Sequence, residues 1–154
     1  ALTDEDVMAA LCEASNAGVR VQLIVRGACC LRPDVDGSTK NIKVRSIVGR
    51  FLEHSRIYYF ENGGKPNVYI SSADWMSRNL DRRVEVATPI LDGGLRARVI
   101  DEGLNVALRD NTQAWVLQKN GAYRLLRPAA SQQPSVAQNE LATKLGHQSE
   151  AAAP

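Results

Sequence analysis

The stretch RIYYFENGGKPNVYIS, residues 56–71, sets the tightest constraint on how this chain folds. Two runs rich in β-branched and aromatic residues are separated by Gly-Gly-Lys-Pro, a link that suits a chain reversal. RIYYFEN (56–62) and NVYIS (67–71) are therefore expected to pair as a hairpin with a short, flexible tip. Three more β-rich segments flank them. In VRVQLIVRG (19–27), Val19, Val21, Leu23 and Val25 alternate while Ile24 fills the other face. That pattern predicts a strand buried on both sides, with Arg26 at its carboxyl end. IKVRSIV (42–48) and RRVEVATPI (82–90) add two strands, and AWVLQKNGAYRLLRP reads as two short strands about the turn dipeptide Asn120-Gly121.

Helical periodicity appears twice. Thr3 and Asp6 form a variant helix-opening cap before Val7, Met8, Leu11 and Ala14, and Gly18 can stop that helix in the left-handed conformation. Asp92 caps a second helix carrying Leu95, Val99, Ile100, Leu104 and Leu108 on one side. CCLRPDVDGSTKN forms a loop marked by Pro33, Asp36 and Gly37. From Ala129 the composition turns to Ala, Ser, Gln and Pro, so 1–128 is expected to fold and 129–154 to lie outside as a disordered or loosely helical tail. The expected class is α/β, a mixed β-sheet flanked by helices.

At 154 residues and 44% hydrophobic, the chain has material for one core, not two. Its net charge of +2 hides an uneven distribution. Residues 1–19 hold four acids and no base, whereas 20–56 hold eight bases against Asp34, Asp36 and Glu53. Such a surplus suits either a solvated basic face or an anion site. Cys12, Cys29 and Cys30 show neither zinc-ligand spacing nor a disulfide pattern, which suggests core thiols in a reducing, cytoplasmic setting. No apolar run reaches membrane-spanning length.

Chemistry concentrates in FLEHSRIYYFEN. On an extended strand, residues two apart face the same way, so His54 and Arg56 can converge on one ligand. A phosphoryl group fits that pair. Guanidinium forks its oxygens, and imidazole can donate a hydrogen bond, protonate a leaving oxygen or attack phosphorus. A packed, structural histidine is the competing reading. SSADWMSRNLDRR (71–83) follows a strand, where α/β sheets commonly build ligand sites, and Asp74 could orient an imidazole or balance an arginine. Trp75 and Met76 suit packing beneath the loop. Arg26 ends an apolar strand, where it could meet a phosphate or pair with Glu61 or Asp74.

LIVRGACCLRP, IKVRSIVGRFLEHSRIYYFENGG, VYISSADWMSRNLDRRVEVATPI and RVIDEGL together resemble the last domain of bacterial polyphosphate kinases, over about residues 3–128. That family is similar in fold to phospholipase D, and H-x-R-x4-E…SSAD looks like a modified copy of H-x-K-x4-D…GS-x-N. The resemblance implies a phospholipase D-like half and reversible transfer of the terminal phosphate of ATP to inorganic polyphosphate through a phosphohistidine, with Mg2+. It assigns nucleotide-phosphate contact to Arg26 and His54, with His54 catalytic, and carries Arg56, Glu61, Ser72 and Asp74 as phosphate-contacting or supporting residues. The histidine that becomes phosphorylated lies in an H-x-K sequence of another domain, absent here. The chain is thus expected to hold part of a site, with Mg2+ bound mainly through residues elsewhere, and to be inactive alone. Expected partners are ATP or ADP, polyphosphate, the remaining domains of the parent kinase and a second copy in the full-length enzyme, but no nucleic acid. The implied location is the cytoplasm, with membrane association through the full-length complex. A phospholipase D-type phosphodiesterase and a non-catalytic polyanion-binding module are the rival readings. Arg56 and Glu61 in place of lysine and aspartate argue against the first.

Overall fold

The structure, a computed structural model, describes residues 1–151, with side chains through Gly146. Among the described residues, seven strands form two sheets. In the first, the order is β1 (Val21–Ile24), β2 (Ile42–Ile47), β6 (Ala114–Leu117) and β7 (Tyr123–Leu125). β1 and β2 run parallel and the remaining neighbours antiparallel, so this sheet is mixed. The second is wholly antiparallel, with order β3 (Ile57–Phe60), β4 (Asn67–Ser71) and β5 (Ala87–Pro89). The α/β class expected from sequence is present, divided between two sheets.

β2 explains the layering of the first sheet. Ile42 and Val44 are buried on one face with Val25, Leu31 and Leu117, and α1 (Glu5–Asn16) covers them through Val7, Met8 and Leu11. Arg45, a residue on from Val44, points to the opposite face. There Nη1 donates to the carbonyls of Leu108 at 2.7 Å and Ala107 at 3.3 Å, at the end of α4 (Val106–Arg109). A guanidinium near those unpaired terminal carbonyls supplies donors that the helix lacks.

Several local expectations need correction. The cap of α1 is Asp4, whose Oδ1 accepts from Val7 N–H at 3.1 Å, instead of Thr3. Asp4 competes better because its other oxygen accepts from Ser77 Oγ at 3.0 Å, which holds it buried. Gly18 does adopt a positive φ of 86° just past the helix. β1 is shorter and only half-buried, with Val19 exposed. Of 82–90, only Ala87–Pro89 forms a strand, because β5 is an edge with one neighbour, and Val84 and Val86 face solvent. Cys30 is exposed, whereas Cys29 packs against the core. The second helix begins as expected, with Asp92 Oδ1 accepting from Leu95 N–H at 2.8 Å. It runs as α3 (Gly93–Ile100), a wide π turn (Asp101–Asn105) and α4.

The tail departs most from expectation. α5 (Ala137–Ala151) packs on the domain, with Ala137 and Gln138 buried; residues 152–154 lie outside the described residues. Asp110, also buried, explains the docking. Its Oδ2 accepts from Ala137 N–H at 2.8 Å, and its Oδ1 accepts from the amides of Thr112, Gln113 and Ala114. Lys144 adds ion pairs to Asp101 at 2.9 Å and Glu102 at 3.5 Å. Composition missed this segment because a single buried carboxylate and a few contacts hold it, not a periodic apolar face.

Candidate functional site

Leu2 brings the site together. It bridges in parallel to Cys29, after β1, and to Trp75, after β4, and is almost fully buried. Its N–H donates to Ala28 O at 2.9 Å, its C=O accepts from Cys30 N–H at 2.9 Å, and the next amide, Thr3, donates to Trp75 O at 2.8 Å. Strand ends from different sheets are thereby joined. Tyr58 stacks on Trp75 with ring centroids 5.0 Å apart, and its hydroxyl donates to Ala73 O at 2.9 Å. Trp75 is thus a packing residue, and the loop carrying Asp74 rests on a rigid aromatic pair.

A cavity of about 230 Å³ opens where these ends meet, lined by Arg26, His54, Arg56, Tyr58, Asp74 and Trp75 among others. It adjoins a wider cleft of about 1030 Å³ that shares Arg26, His54, Arg56 and Asp74 and extends to Ser72, Arg78, Arg83 and Glu85. Gly103 in the π turn lines both, and a Cβ there would push aside the end of the Ile57 side chain.

Arg56 and Asp74 form the fixed part. Nε donates to Oδ1 at 3.2 Å and Nη2 to Oδ2 at 2.9 Å, a planar fork between side chains less than a fifth exposed. That fork holds the Asp74 carboxyl down to about 2 against the opposing effect of partial burial. Nη1 of Arg56 lies 3.1 Å from His54 Nδ1 and 3.5 Å from Nε2, and donates to His54 O at 3.1 Å. Asp74 therefore balances an arginine, and that arginine contacts the imidazole.

Arg26 differs. It is half-buried in the cavity wall and, among the described residues, makes no ion pair or side-chain hydrogen bond. The ion pair with Glu61 or Asp74 open on sequence grounds is not formed. Glu61 lies away from the cavity, its carboxylate accepting from Gly63 N–H at 3.0 Å in the hairpin tip. Ser72 lines the cleft, but its hydroxyl donates to Glu85 in a short hydrogen bond and accepts from Val86 N–H at 3.0 Å.

Sequence reasoning passed over Glu85. It accepts from Ser72 and, at 2.7 Å, from Asn79 Nδ2, and these donors lower its pKa. It belongs to a segment read as strand, where a lone acid between valines carries no signal. The basic surplus of 20–56 is dispersed: Lys40 pairs with Asp34 and Asp36, Arg45 binds α4, and Arg50 lies over the Phe51 ring. Only Arg26, His54 and Arg56 of that segment's basic side chains reach the cavity. Mg2+ has no evident ligand set in this part: Asp74 and Glu85 are engaged by donors, and no three His, Cys, Asp or Glu side chains cluster suitably among the described residues.

Comparison with known proteins matches this arrangement to one family. The profile described as polyphosphate kinase C-terminal domain 2 matches residues 1–138. A polyphosphate kinase of Pseudomonas aeruginosa is 58% identical over 144 residues, 94% of this chain and 21% of the relative. One of Burkholderia vietnamiensis is 63% identical over 127 residues, 82% of this chain and 18% of the relative. The crystal structure of polyphosphate kinase from Porphyromonas gingivalis superposes with a TM-score of 0.90 at 44% identity, covering 98% of this chain and 23% of that one. The chain spans about a fifth of the length of these relatives. By sequence and fold alike, it belongs to the polyphosphate kinase C-terminal domain 2 family.

Proposed function

We propose that this chain supplies the ATP- and phosphate-holding part of a polyphosphate kinase that reversibly moves the terminal phosphate of ATP onto inorganic polyphosphate. The observation that carries this is Arg26: half-buried, without an anionic partner, and lining the same cavity as His54. A guanidinium kept from full hydration without a counter-charge favours an incoming anion, and its fork matches two oxygens of a phosphate.

Phosphoryl transfer asks the protein chiefly for positioning and charge neutralisation. In the proposed reaction a histidine from another part of the parent chain attacks the terminal phosphorus of ATP. The P–O bond breaks, a P–N bond forms, and ADP leaves with the bond's electron pair; the phosphoryl group then passes to the end of a polyphosphate. Arg26 neutralises phosphate oxygens. Arg56 Nη1, 3.1 Å from Nδ1 and 3.5 Å from Nε2, holds the His54 ring at the cavity, where a ring N–H can donate. That N–H is the donor offered to the leaving oxygen. Any Mg2+ would neutralise the phosphates through ligands outside this chain, and no step here runs through it.

The test is His54→Ala at the corresponding position of the parent kinase. Turnover should fall at least a hundredfold with the melting temperature preserved, since His54 is exposed and holds no other element. Near-normal synthesis would remove His54 from the mechanism.

A further inference from the structure

Between Val48, whose N–H donates to Gln113 O at 3.2 Å, and Arg56, whose C=O accepts from Ser71 N–H at 2.9 Å, the chain leaves one sheet and reaches the other. No strand or helix forms along the way, and no backbone-to-backbone hydrogen bond supports residues 49–55. His54 rides on this segment. A backbone span without ladder partners holds one position only where side chains supply the missing bonds.

One distant side chain supplies them. Gln138 accepts from Phe51 N–H through Oε1 at 2.9 Å and donates from Nε2 to Phe51 O at 2.7 Å, closing a two-bond ring on that residue as a neighbouring strand would. Nε2 also donates to Glu53 Oε1 at 2.8 Å, next to His54. All three partners demand the same orientation of the amide. Gln138 is itself held: it is buried, and the preceding amide, Ala137, donates to Asp110. Gly49 leaves room, because a Cβ there would strike the Gln138 and Gln113 side-chain oxygens.

We propose that Gln138 is a positioning residue for His54, setting where the imidazole stands in the phosphate cavity by clamping the backbone of Phe51. This rests on the phosphate-site reading above. The clamp couples α5 to the reacting group: an ångström of drift at a group that must meet a leaving oxygen can cost orders of magnitude in rate, while ground-state binding through Arg26 stays in place.

The experiment pairs Gln138→Met, which preserves bulk but removes all three hydrogen bonds, with Lys144→Ala, which removes ion pairs of α5 to Asp101 and Glu102 and leaves Phe51 untouched. Both are placed in the parent kinase beside His54→Ala. Gln138→Met should lower kcat about tenfold with KM for ATP changed less than twofold, and Lys144→Ala should change neither. In the 154-residue chain, Gln138→Met should also speed amide exchange at Phe51 and shift the His54 ring resonances, which Lys144→Ala should not do. Unchanged kcat in Gln138→Met, or equal losses in both variants, overturns the clamp. If the methionine variant does not fold, Gln138→Glu is read in the same way, since it keeps the acceptor for Phe51 N–H and sets a carboxylate against Phe51 O and Glu53. Full turnover in His54→Ala would strike down the phosphate-site reading; loss there with full turnover in Gln138→Met would strike down the clamp alone.

Discussion

Arg56 grips Asp74 with two parallel hydrogen bonds, of 3.2 and 2.9 Å, and turns its remaining nitrogen to His54 at 3.1 Å. An arginine that sequence offered as a phosphate contact or a supporting residue thus has most of its fork committed to a carboxylate. Its role in this geometry is to hold the imidazole.

Replacing Arg56 by Lys should therefore do more than a conservative change suggests. An ammonium cannot bridge both oxygens of Asp74 and still reach the His54 ring. The expected loss is about 1–3 kcal/mol of stability for a half-buried, charge-assisted pair, with a fall in turnover in the parent kinase. Urea unfolding of the chain and synthesis assays of the parent would measure the two parts. Wild-type values in both would contradict the role given to the fork.

Asp74 also fixes a dependence on acid. Its folded pKa of about 2 lies below the ordinary 3.8, so its contribution to stability is fully present above about pH 4. It is lost as pH falls through about 2. Urea midpoints of the chain between pH 5 and 2 should fall more steeply than those of Asp74→Asn, whose curve should already be lower at neutral pH. Parallel curves would contradict the pairing.

Arg26→Ala should act on binding. A charged hydrogen bond is typically worth about 1.5–3 kcal/mol, equivalent to roughly ten- to hundredfold in apparent ATP affinity. Because Arg26 makes no ion pair or side-chain hydrogen bond among the described residues, the variant should melt at the wild-type temperature or above it. An unchanged KM for ATP in the parent enzyme would remove this arginine from the site.

Asp110→Asn probes the docking of α5. An amide can accept with only one end, so the four backbone N–H groups that now meet a carboxylate would face an NH2 on one side. A loss of about 3 kcal/mol is expected, typical of disrupting a buried charged hydrogen-bond network, with faster trypsin cleavage after Lys144 as the helix releases. Wild-type resistance to cleavage would show that other contacts keep α5 in place.

Much of the fold was legible because its signals are local. The 56–71 hairpin, the Asp92 cap and the Asn120-Gly121 turn follow from residues that set their own backbone geometry within a few positions. Less legible were elements whose limits depend on neighbours. The strand expected at 82–90 shrank to three residues for want of a second partner. Glu61 and Asp74 looked equivalent as spaced acids, yet one closes a hairpin tip and the other sits in the cavity.

The sequence by itself determined the elements and the chemistry on offer: alternation and turn residues act over a few positions, and the identities of Arg26, His54 and Arg56 are written in the chain. Only the tertiary structure decided which charges remain available to a ligand. Leu2 joins strand ends of two sheets, Asp74 takes up Arg56 while leaving Arg26 unpaired, and a tail without apolar period docks through Asp110 to hold the His54 segment. Those outcomes depend on pairings between residues 18 to 87 positions apart, whose strength is set by distance and burial, and neither is encoded in local pattern.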